Sequence, residues 1–201
     1  MAATGADTGG RGKDAAILDV AEGLVQTRGF NGFSYADIAG RLKITKAALH
    51  HHYPTKAQLG EALIARYASR FMAELASVDR RDVDAREKLI AYARLYGDVL
   101  RAKRMCLCGM LAAEYSTLPA GMRRAIRGFF DDNERWLEEV LEEGRAAGTV
   151  RFSDPATDAA RMIISSLEGA MLVSRPYGDV VRFESAADEL LATLSPTGRA
   201  R

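Results

Sequence analysis

The sequence predicts an all-α protein in which an N-terminal three-helix domain, containing a helix-turn-helix, precedes a larger helical domain. Apolar residues recur at helical spacing along most of the 201 residues. Pro and Gly lie between these segments, where they are expected to end the helices, and no run of residues has the pattern of a strand. From Ser34 to Lys56, two short helical patterns separated by a few residues occupy the stretch SYADIAGRLKITKAALHHHYPTK. We therefore expect adjoining helical domains and no sheet.

The first helix is predicted to run from about Lys13 to Arg28. Gly29 directly follows this pattern and can end the helix in a left-handed conformation. The face expected to be buried carries apolar residues at helical spacing: Ile17, Leu18, Ala21, Leu24 and Val25.

The second and third helices are short and are joined by a turn. Ser34 can cap the second helix, with its hydroxyl accepting from a backbone N–H of the next turn. Lys43 and Ile44 make the turn, and Thr45 can cap a third helix that starts with small and polar residues. A helix-turn-helix needs such residues, because a bulky side chain would hold the backbone away from the base edges in a major groove.

The remaining chain also predicts helices. The fourth begins near Lys56 and passes through Phe71, so the first domain is expected to end within a helix rather than at a linker. Asp154 and Pro155 supply a cap and a first-position proline for one of the later helices. These later helices are predicted at about 84–103, 105–116, 119–147, 155–175 and 185–194.

Composition restricts the class of protein. No apolar run approaches the roughly 20 residues that cross a bilayer, so no membrane partner is expected. Net charge is +1, and residues 1–60 carry seven Lys or Arg against five Asp or Glu, so attraction to nucleic acid would depend on a local patch. Two cysteines without a disulfide framework indicate a reducing, cytoplasmic compartment.

The chain carries no pattern that predicts catalysis or a cofactor. Ser/His/Asp spacing, a Gly-rich phosphate loop and paired carboxylates do not occur. His50, His51 and His52 are consecutive, so they point about 100° apart on a helix and cannot chelate one metal ion together. We therefore expect no enzyme, no metal and no cofactor, and we expect the histidines to contact phosphates or base edges.

Most of residues 13–60 resembles the DNA-binding domain of the TetR family of bacterial transcriptional regulators. The residues that carry the resemblance keep the family's order and spacing without insertions: Gly29-Phe30, Phe33-Ser34, Asp37-Ile38-Ala39, Ile44-Thr45-Lys46, Leu49, Tyr53, Lys56 and Leu59. His50 stands where members usually carry a tyrosine whose hydroxyl reaches a phosphate, and an imidazole can donate the same bond.

The resemblance implies a homodimeric repressor that binds double-stranded, palindromic operator DNA and is released by a small-molecule inducer or an electrophile. The DNA-binding residues expected on this basis are Ser34, Thr45, Lys46, Ala47, Ala48, His50, His51 and Lys56. The resemblance also implies that the last two helices dimerise, and small residues four apart on the first of these helices would let two helices approach closely. The dimerisation residues predicted there are Ser165, Ser166, Gly169, Ala170, Leu190 and Leu194.

A set of aromatic and sulfur-containing side chains either lines a ligand pocket or fills the core, and their spacing does not distinguish these alternatives. The candidate ligand-binding residues are Tyr67, Phe71, Tyr92, Tyr96, Met105, Cys106, Met110, Phe129 and Trp136. The segment MCLCGMLAAEY is similar to the start of the sixth helix in electrophile-sensing members of the family, with the thiol at Cys106. Such a sensor needs a thiolate that is stabilised by Lys103 or Arg104 and open to solvent or to the pocket. The alternative is that both thiols are buried and the inducer binds without a covalent bond.

These expectations divide the chain into four segments: a disordered arm (1–12), a helix-turn-helix domain (13–60), a helical ligand-binding and dimerisation domain (61–196) and a frayed tail (197–201). A second function also remains open at this point. The chain could be a cytoplasmic thiol-redox protein built on Cys106 and Cys108, with a vestigial DNA-binding motif.

Overall fold

The computed structural model describes residues 8–196, with side chains from Gly12 onward. Within that range the chain is all-α, as predicted, and the helices are α1 (Thr8–Arg28), α2 (Tyr35–Leu42), α3 (Lys46–His52), α4 (Lys56–Asp79), α5 (Ala85–Arg101), α6 (Leu107–Ala113), α7 (Ala120–Ala147), α8 (Ala156–Ser174) and α9 (Val180–Thr193). Short 3-10 turns occupy Tyr115–Thr117 and Arg175–Tyr177. Among these helices, none has the length and apolar character needed to span a membrane.

The described chain forms two compact units. The first comprises residues 8–67 with Leu107–Ile126, and the second comprises Ala68–Cys106 with residues 127–196. The sequence predicted two contiguous domains, whereas α6 and the first turns of α7 belong to the first unit because α6 packs against α1. Residues 8–12, expected in the arm, begin α1, and the predictions for residues 1–7 and 197–201 fall outside the described residues.

Helix α1 supplies the core of the first unit. Ile17, Leu24 and Val25 are fully buried, as the helical pattern predicted. Gly29 ends the helix with φ +81°, and its N–H donates to the Val25 carbonyl at 2.9 Å. A side chain at Gly29 would also collide with the Glu114 carboxylate. Glycine is therefore required there both by the backbone and by a neighbour that is distant in sequence.

The turn between α2 and α3 is short and fixed by the backbone. Lys43 adopts a left-handed conformation with φ +55°, and the Ile44 N–H donates to the Ala39 carbonyl at 3.1 Å. On α3, Leu49 is fully buried while the residues before it are exposed. One apolar side chain thus anchors α3 and leaves its first turn open to solvent.

The second unit is built on α5, α8 and α9, which contact one another, together with the rest of α7. Leu167 and Met171 of α8 and Phe183 of α9 are buried there. Gly144 of α7 lets the start of α5 approach, because a side chain at Gly144 would lie 2.5 Å from the Ala85 Cβ. These contacts place aromatic residues of α5 and α7 in one interior.

Two predicted helix boundaries differ from the structure. The last helix, predicted from residue 185, begins at Val180, because the Asp179 carboxylate caps it by accepting from the Val181 N–H at 3.0 Å. The helix predicted at 105–116 is shorter, since α6 ends at Ala113 and a 3-10 turn follows.

Candidate DNA-binding surface and ligand-binding core

The first turn of α3 presents a small, polar and basic surface. The Thr45 hydroxyl caps the helix by accepting from the Ala48 N–H at 3.1 Å. Lys46, Ala47 and Ala48 are exposed on this turn, as the sequence predicted for a DNA-contacting helix. Because Ala47 and Ala48 are small, the backbone of α3 can come close to a base edge.

Two of the three histidines are held by neighbours in the first unit. The His50 Nδ1–H donates to the Pro54 carbonyl at 3.1 Å, and the His50 ring lies 4.7 Å from the ring of Tyr35. His52 is paired with the Asp14 carboxylate at 2.7 Å. Because Nδ1 of His50 carries the donated proton, its Nε2 atom is an acceptor when the ring is neutral and a second donor when it is protonated. His51 is exposed.

Ser34 caps α2 in a capping box with Asp37, in which the Ser34 side chain accepts from the Asp37 N–H. The Asp37 carboxylate accepts both the Ser34 N–H and the Ser34 hydroxyl at 2.8 Å. The hydroxyl therefore also donates to a side chain. These two hydrogen bonds lower the pKa of Asp37, and the guanidinium of Arg28 also favours its charged form.

Lys56 is directed into the first unit. Its ammonium donates to the Phe30 and Phe33 carbonyls at 2.6 and 2.5 Å, and it lies 4.6 and 4.3 Å from the centres of the same two aromatic rings. Burial lowers the pKa of Lys56. The Lys56 ammonium thus has two backbone acceptors inside the first unit, instead of being free to reach a phosphate.

Glu114, which the sequence did not single out, holds the loop between α1 and α2. Its Oε2 atom accepts from the Phe30 N–H at 2.7 Å and from the Asn31 N–H at 3.3 Å. The Asn31 side chain in turn donates to the Thr117 hydroxyl at 2.9 Å. Since Lys56 binds the carbonyls of this loop and Glu114 binds its N–H groups, opposite charges fix both sides of the same backbone segment.

The aromatic residues predicted to line a pocket form a packed interior in the second unit. The Phe71 ring lies 5.9 Å from Tyr92 and Tyr96, and 5.3 Å from Phe129. Tyr92 also stacks on Trp136 at 5.6 Å. The other predicted residues divide between the units: Met105 and Cys106 are buried in the second, while Tyr67 and Met110 belong to the first.

Cys106 is a buried thiol with an acidic partner. Its side chain is 1% exposed and donates a hydrogen bond to the Glu168 carboxylate, whereas Lys103 and Arg104 are exposed. The structure therefore matches the alternative of a buried Cys106 and does not provide the open thiol that an electrophile sensor needs. Cys108 is also buried, in the first unit.

Glu168 is a second acidic residue that sequence reasoning missed. Burial raises the pKa of its carboxyl to about 7, and the Cys106 hydrogen bond partly opposes this increase. Its Oε1 atom is buried and has no hydrogen-bond partner within the described part of the chain. A lone acid on an otherwise apolar helix face was the signal available in the sequence.

A cavity of about 550 Å³ opens elsewhere in the second unit. Met105 and Ser174 are part of its lining, which also carries the acidic Asp179 and four basic residues: Arg101, Lys103, Arg104 and Arg175. Of the residues predicted to bind ligand, Met105 is the one that lines this cavity.

The predicted dimerisation residues are split between surface and core. Ser165 and Gly169 are exposed, and Ser166, Ala170 and Leu190 are half-buried. Leu194 is 3% exposed, so its expected place in an interface between copies is wrong, and it packs in the core of its own chain. The large apolar side chains that are exposed near these residues are Met162, Leu172, Val173, Tyr177 and Val181.

Comparisons with known proteins match both units. Residues 17–63 match the family described as bacterial regulatory proteins, tetR family. Residues 85–190 match the tetracyclin repressor-like, C-terminal domain. The HTH-type transcriptional regulator CymR of Pseudomonas putida is 26% identical over 181 residues, which span 87% of this chain and 85% of CymR.

Solved structures agree with these matches. A TetR-family transcriptional regulator from Agrobacterium tumefaciens is 31% identical with a TM-score of 0.89, covering 92% of this chain and 99% of its own. The structure of AibR in complex with isovaleryl coenzyme A and operator DNA is 25% identical with a TM-score of 0.71, covering 92% of this chain and 98% of its own. This chain therefore belongs to the TetR family and is a DNA-binding transcriptional regulator.

Proposed function

We propose that this regulator is a homodimeric repressor that binds a palindromic operator through α2 and α3 and leaves it when a small molecule occupies the second unit. The exposed first turn of α3 is the observation that carries the proposal. This turn combines a helix N-terminus with the exposed residues Lys46, Ala47 and Ala48, and the buried side chain of Leu49 follows them. AibR, which is similar over most of its length, was solved with operator DNA and an acyl coenzyme A.

On the operator, Lys46 reaches a phosphate or a guanine edge, and Thr45 contacts a phosphate through its hydroxyl or the helix N-terminus. Ala47 and Ala48 allow close approach and touch thymine methyl groups. His50 and His51 extend this surface toward the end of α3, and Ser34 adds a contact at the start of α2.

Dimerisation is assigned to the exposed faces of α8 and α9. Val173 and Val181 are 65% and 63% exposed, and large apolar side chains with this exposure suggest a surface that another protein covers. Ser165 and Gly169 lie on the same helix as Val173 and allow close approach of a second helix. A dimer is needed because two half-sites about 34 Å apart must be bound together.

The inducer is proposed to act without a covalent bond. A carboxylate that accepts from the Cys106 thiol opposes formation of a thiolate, and burial opposes it further. These two features favour the non-covalent alternative over an electrophile, and they also weaken the thiol-redox alternative.

Helix α6 is proposed to transmit the response. Cys106 precedes this seven-residue helix in the chain, and Glu114 follows it. Cys106 is hydrogen-bonded to Glu168 within the second unit. Glu114 is hydrogen-bonded to the loop that leads into α2 within the first unit. A displacement of the start of α6 would therefore change the hold of Glu114 on that loop.

The experiment is a gel shift of the full chain on its own upstream DNA over a salt series. Lys46→Ala is expected to weaken binding, and Lys13→Ala, which removes an exposed charge from α1, serves as the matched control. Binding of the upstream DNA that is no tighter than binding of unrelated DNA would reject the proposed repressor.

A further inference from the structure

The packing of the second unit does not account for Glu168. One carboxylate oxygen accepts from Cys106, while Oε1 is buried and lacks a hydrogen-bond partner among the residues described. An unpaired carboxylate oxygen in a protein interior destabilises the folded state. An apolar residue at this position of α8 would avoid that penalty, so the acid requires another explanation.

The two tyrosine hydroxyls that interact electrostatically with Glu168 already donate elsewhere. The Asn133 amide donates to the Phe129 carbonyl at 2.7 Å, and the Tyr92 hydroxyl donates to Asn133 Oδ1 at 3.0 Å. The 3.1 Å contact between the Tyr92 and Tyr96 hydroxyls must therefore use the proton of Tyr96, because Tyr92 has one proton to give. Neither tyrosine is left to donate to the carboxylate.

Glu168 interacts with the Cys106 thiol and with the hydroxyls of Tyr92 and Tyr96. The groups that influence its pKa are the buried environment, which raises it, and the Cys106 thiol, and no basic side chain is among them. Both tyrosine hydroxyls interact electrostatically with the carboxylate, and the Phe71 ring lies 5.9 Å from each tyrosine ring. Aromatic faces beside a carboxylate attract a positively charged nitrogen.

We propose that Glu168 and the surrounding tyrosine rings are the recognition site for the charged end of a small aromatic or apolar organic cation. Its ammonium group donates to Oε1 of Glu168. Because Tyr92, Tyr96 and Phe71 are packed against one another, these rings must separate to admit its apolar part. The inference rests on the proposed ligand-responsive function and adds the chemical class of the ligand, a protonated amine in preference to a neutral or anionic molecule.

The basic cavity in the same unit is the alternative ligand site against which the proposal is tested. Lys103, Arg104 and Arg175 line it, so an organic anion would select that cavity rather than the surroundings of Glu168. The two sites therefore predict opposite charge preferences for the ligand.

The test uses three ligands of similar shape: tyramine, which is a cation, 4-ethylphenol, which is neutral, and 4-hydroxyphenylacetate, which is an anion. Their affinities for the full chain are measured by calorimetry at pH 8. We expect tyramine to bind at least about tenfold more tightly than 4-ethylphenol. Glu168→Gln should remove most of this preference, whereas Glu139→Gln, at an exposed position of α7, should preserve it.

Three results would overturn the inference: equal affinities for tyramine and 4-ethylphenol, unchanged selectivity in Glu168→Gln, or no binding of tyramine at millimolar concentration. Tighter binding of the anion that Lys103→Ala abolishes would also reject it in favour of the basic cavity. Operator binding without any ligand is measured separately, so that loss of the DNA-binding function is distinguished from failure of this site.

The wild-type protein gives a second measurement if Glu168→Gln fails to fold. Tyramine affinity should fall as the pH decreases from 8 to 6, because Glu168 becomes protonated over that interval. The other titratable groups that face it are Cys106, Tyr92 and Tyr96, and burial keeps the tyrosines protonated by raising the pKa of both hydroxyls. An affinity that does not change over this interval would also overturn the inference.

Discussion

The Glu114 carboxylate accepts the Phe30 N–H at 2.7 Å, although the two residues lie 84 positions apart in the chain. This bond ties the residue that follows α6 to the loop that leads into the DNA-contacting helices. Asn31 shares the same carboxylate oxygen, and Lys56 holds the carbonyl of Phe30 at 2.6 Å. The position of α2 and α3 thus depends on a residue far outside the helix-turn-helix.

Glu114→Ala should destabilise the chain and weaken operator binding. The variant leaves the Phe30 N–H without its acceptor, and a half-buried donor that loses its partner costs about 1–3 kcal/mol. Urea unfolding and gel shifts measure the two effects. Glu74→Ala, at an exposed position of α4, is the control. Equal stability and equal operator affinity in both variants would show that the bond does not position the loop.

Lys46→Ala and Lys56→Met should have different consequences, although each removes one lysine charge. Lys46 is exposed on α3, so its loss should weaken operator binding and reduce the salt slope by about 1. Lys56 is bonded to two carbonyls inside the first unit, so its loss should lower the free energy of unfolding instead. If Lys56→Met reduces the salt slope as strongly as Lys46→Ala without loss of stability, then Lys56 reaches a phosphate after all.

The helix-turn-helix could be predicted because its determinants lie within a few consecutive residues. The caps at Ser34 and Thr45, the short turn and the small residues of α3 are all local features, and the structure contains each of them. The sequence pattern predicted that Lys56 lies at the start of α4, but it did not predict the direction of the Lys56 side chain. That direction depends on the carbonyls of Phe30 and Phe33, more than 20 positions away.

The second unit was harder to predict, because helical periodicity indicates which residues are buried but not which helix or which copy of the chain they pack against. Leu194 recurs at the spacing of a dimerisation stripe, yet it is buried in its own chain. Glu168 interrupts an apolar face, and nothing local indicates that its neighbours are Cys106 and two tyrosines. Such contacts depend on how α5, α8 and α9 pack, which sequence spacing does not specify.

Gly169→Trp should weaken the dimer without unfolding the chain. Open space surrounds the position that a side chain would take at Gly169, so the indole is tolerated within one chain but obstructs a second copy. Leu194→Ala should act in the opposite way, lowering stability by about 2–5 kcal/mol and leaving the dimer intact. Sedimentation at micromolar concentration and urea unfolding separate the two effects. A wild-type monomer under these conditions would reject the proposed interface.

The thiols should react slowly in the native protein. Cys106 and Cys108 are 1% and 0% exposed, and the thiol of Cys106 donates to a carboxylate, so thiolate at neutral pH should be scarce. Titration with a thiol reagent should be slower by about a factor of 100 or more in buffer than in urea. The gel shift with electrophile should give the same response for wild type and Cys106→Ser. A response that Cys106→Ser abolishes would restore the electrophile sensor.

Glu168 should make the stability of the regulator depend on pH near neutrality. Burial raises the pKa of its carboxyl from 4.5 to about 7, so the folded state disfavours the charged form. The stability associated with the protonated acid is therefore complete below about pH 4.5 and is lost as the pH rises through about 7. Glu168→Gln lacks this titration, so the free energy of unfolding of the wild type, relative to the variant, should decrease by about 2–3 kcal/mol between pH 5 and pH 8. Urea unfolding of wild type, Glu168→Gln and the control Glu139→Gln across that range measures the difference. A wild-type curve parallel to that of Glu168→Gln would mean that the carboxyl titrates at its ordinary pKa and is solvated.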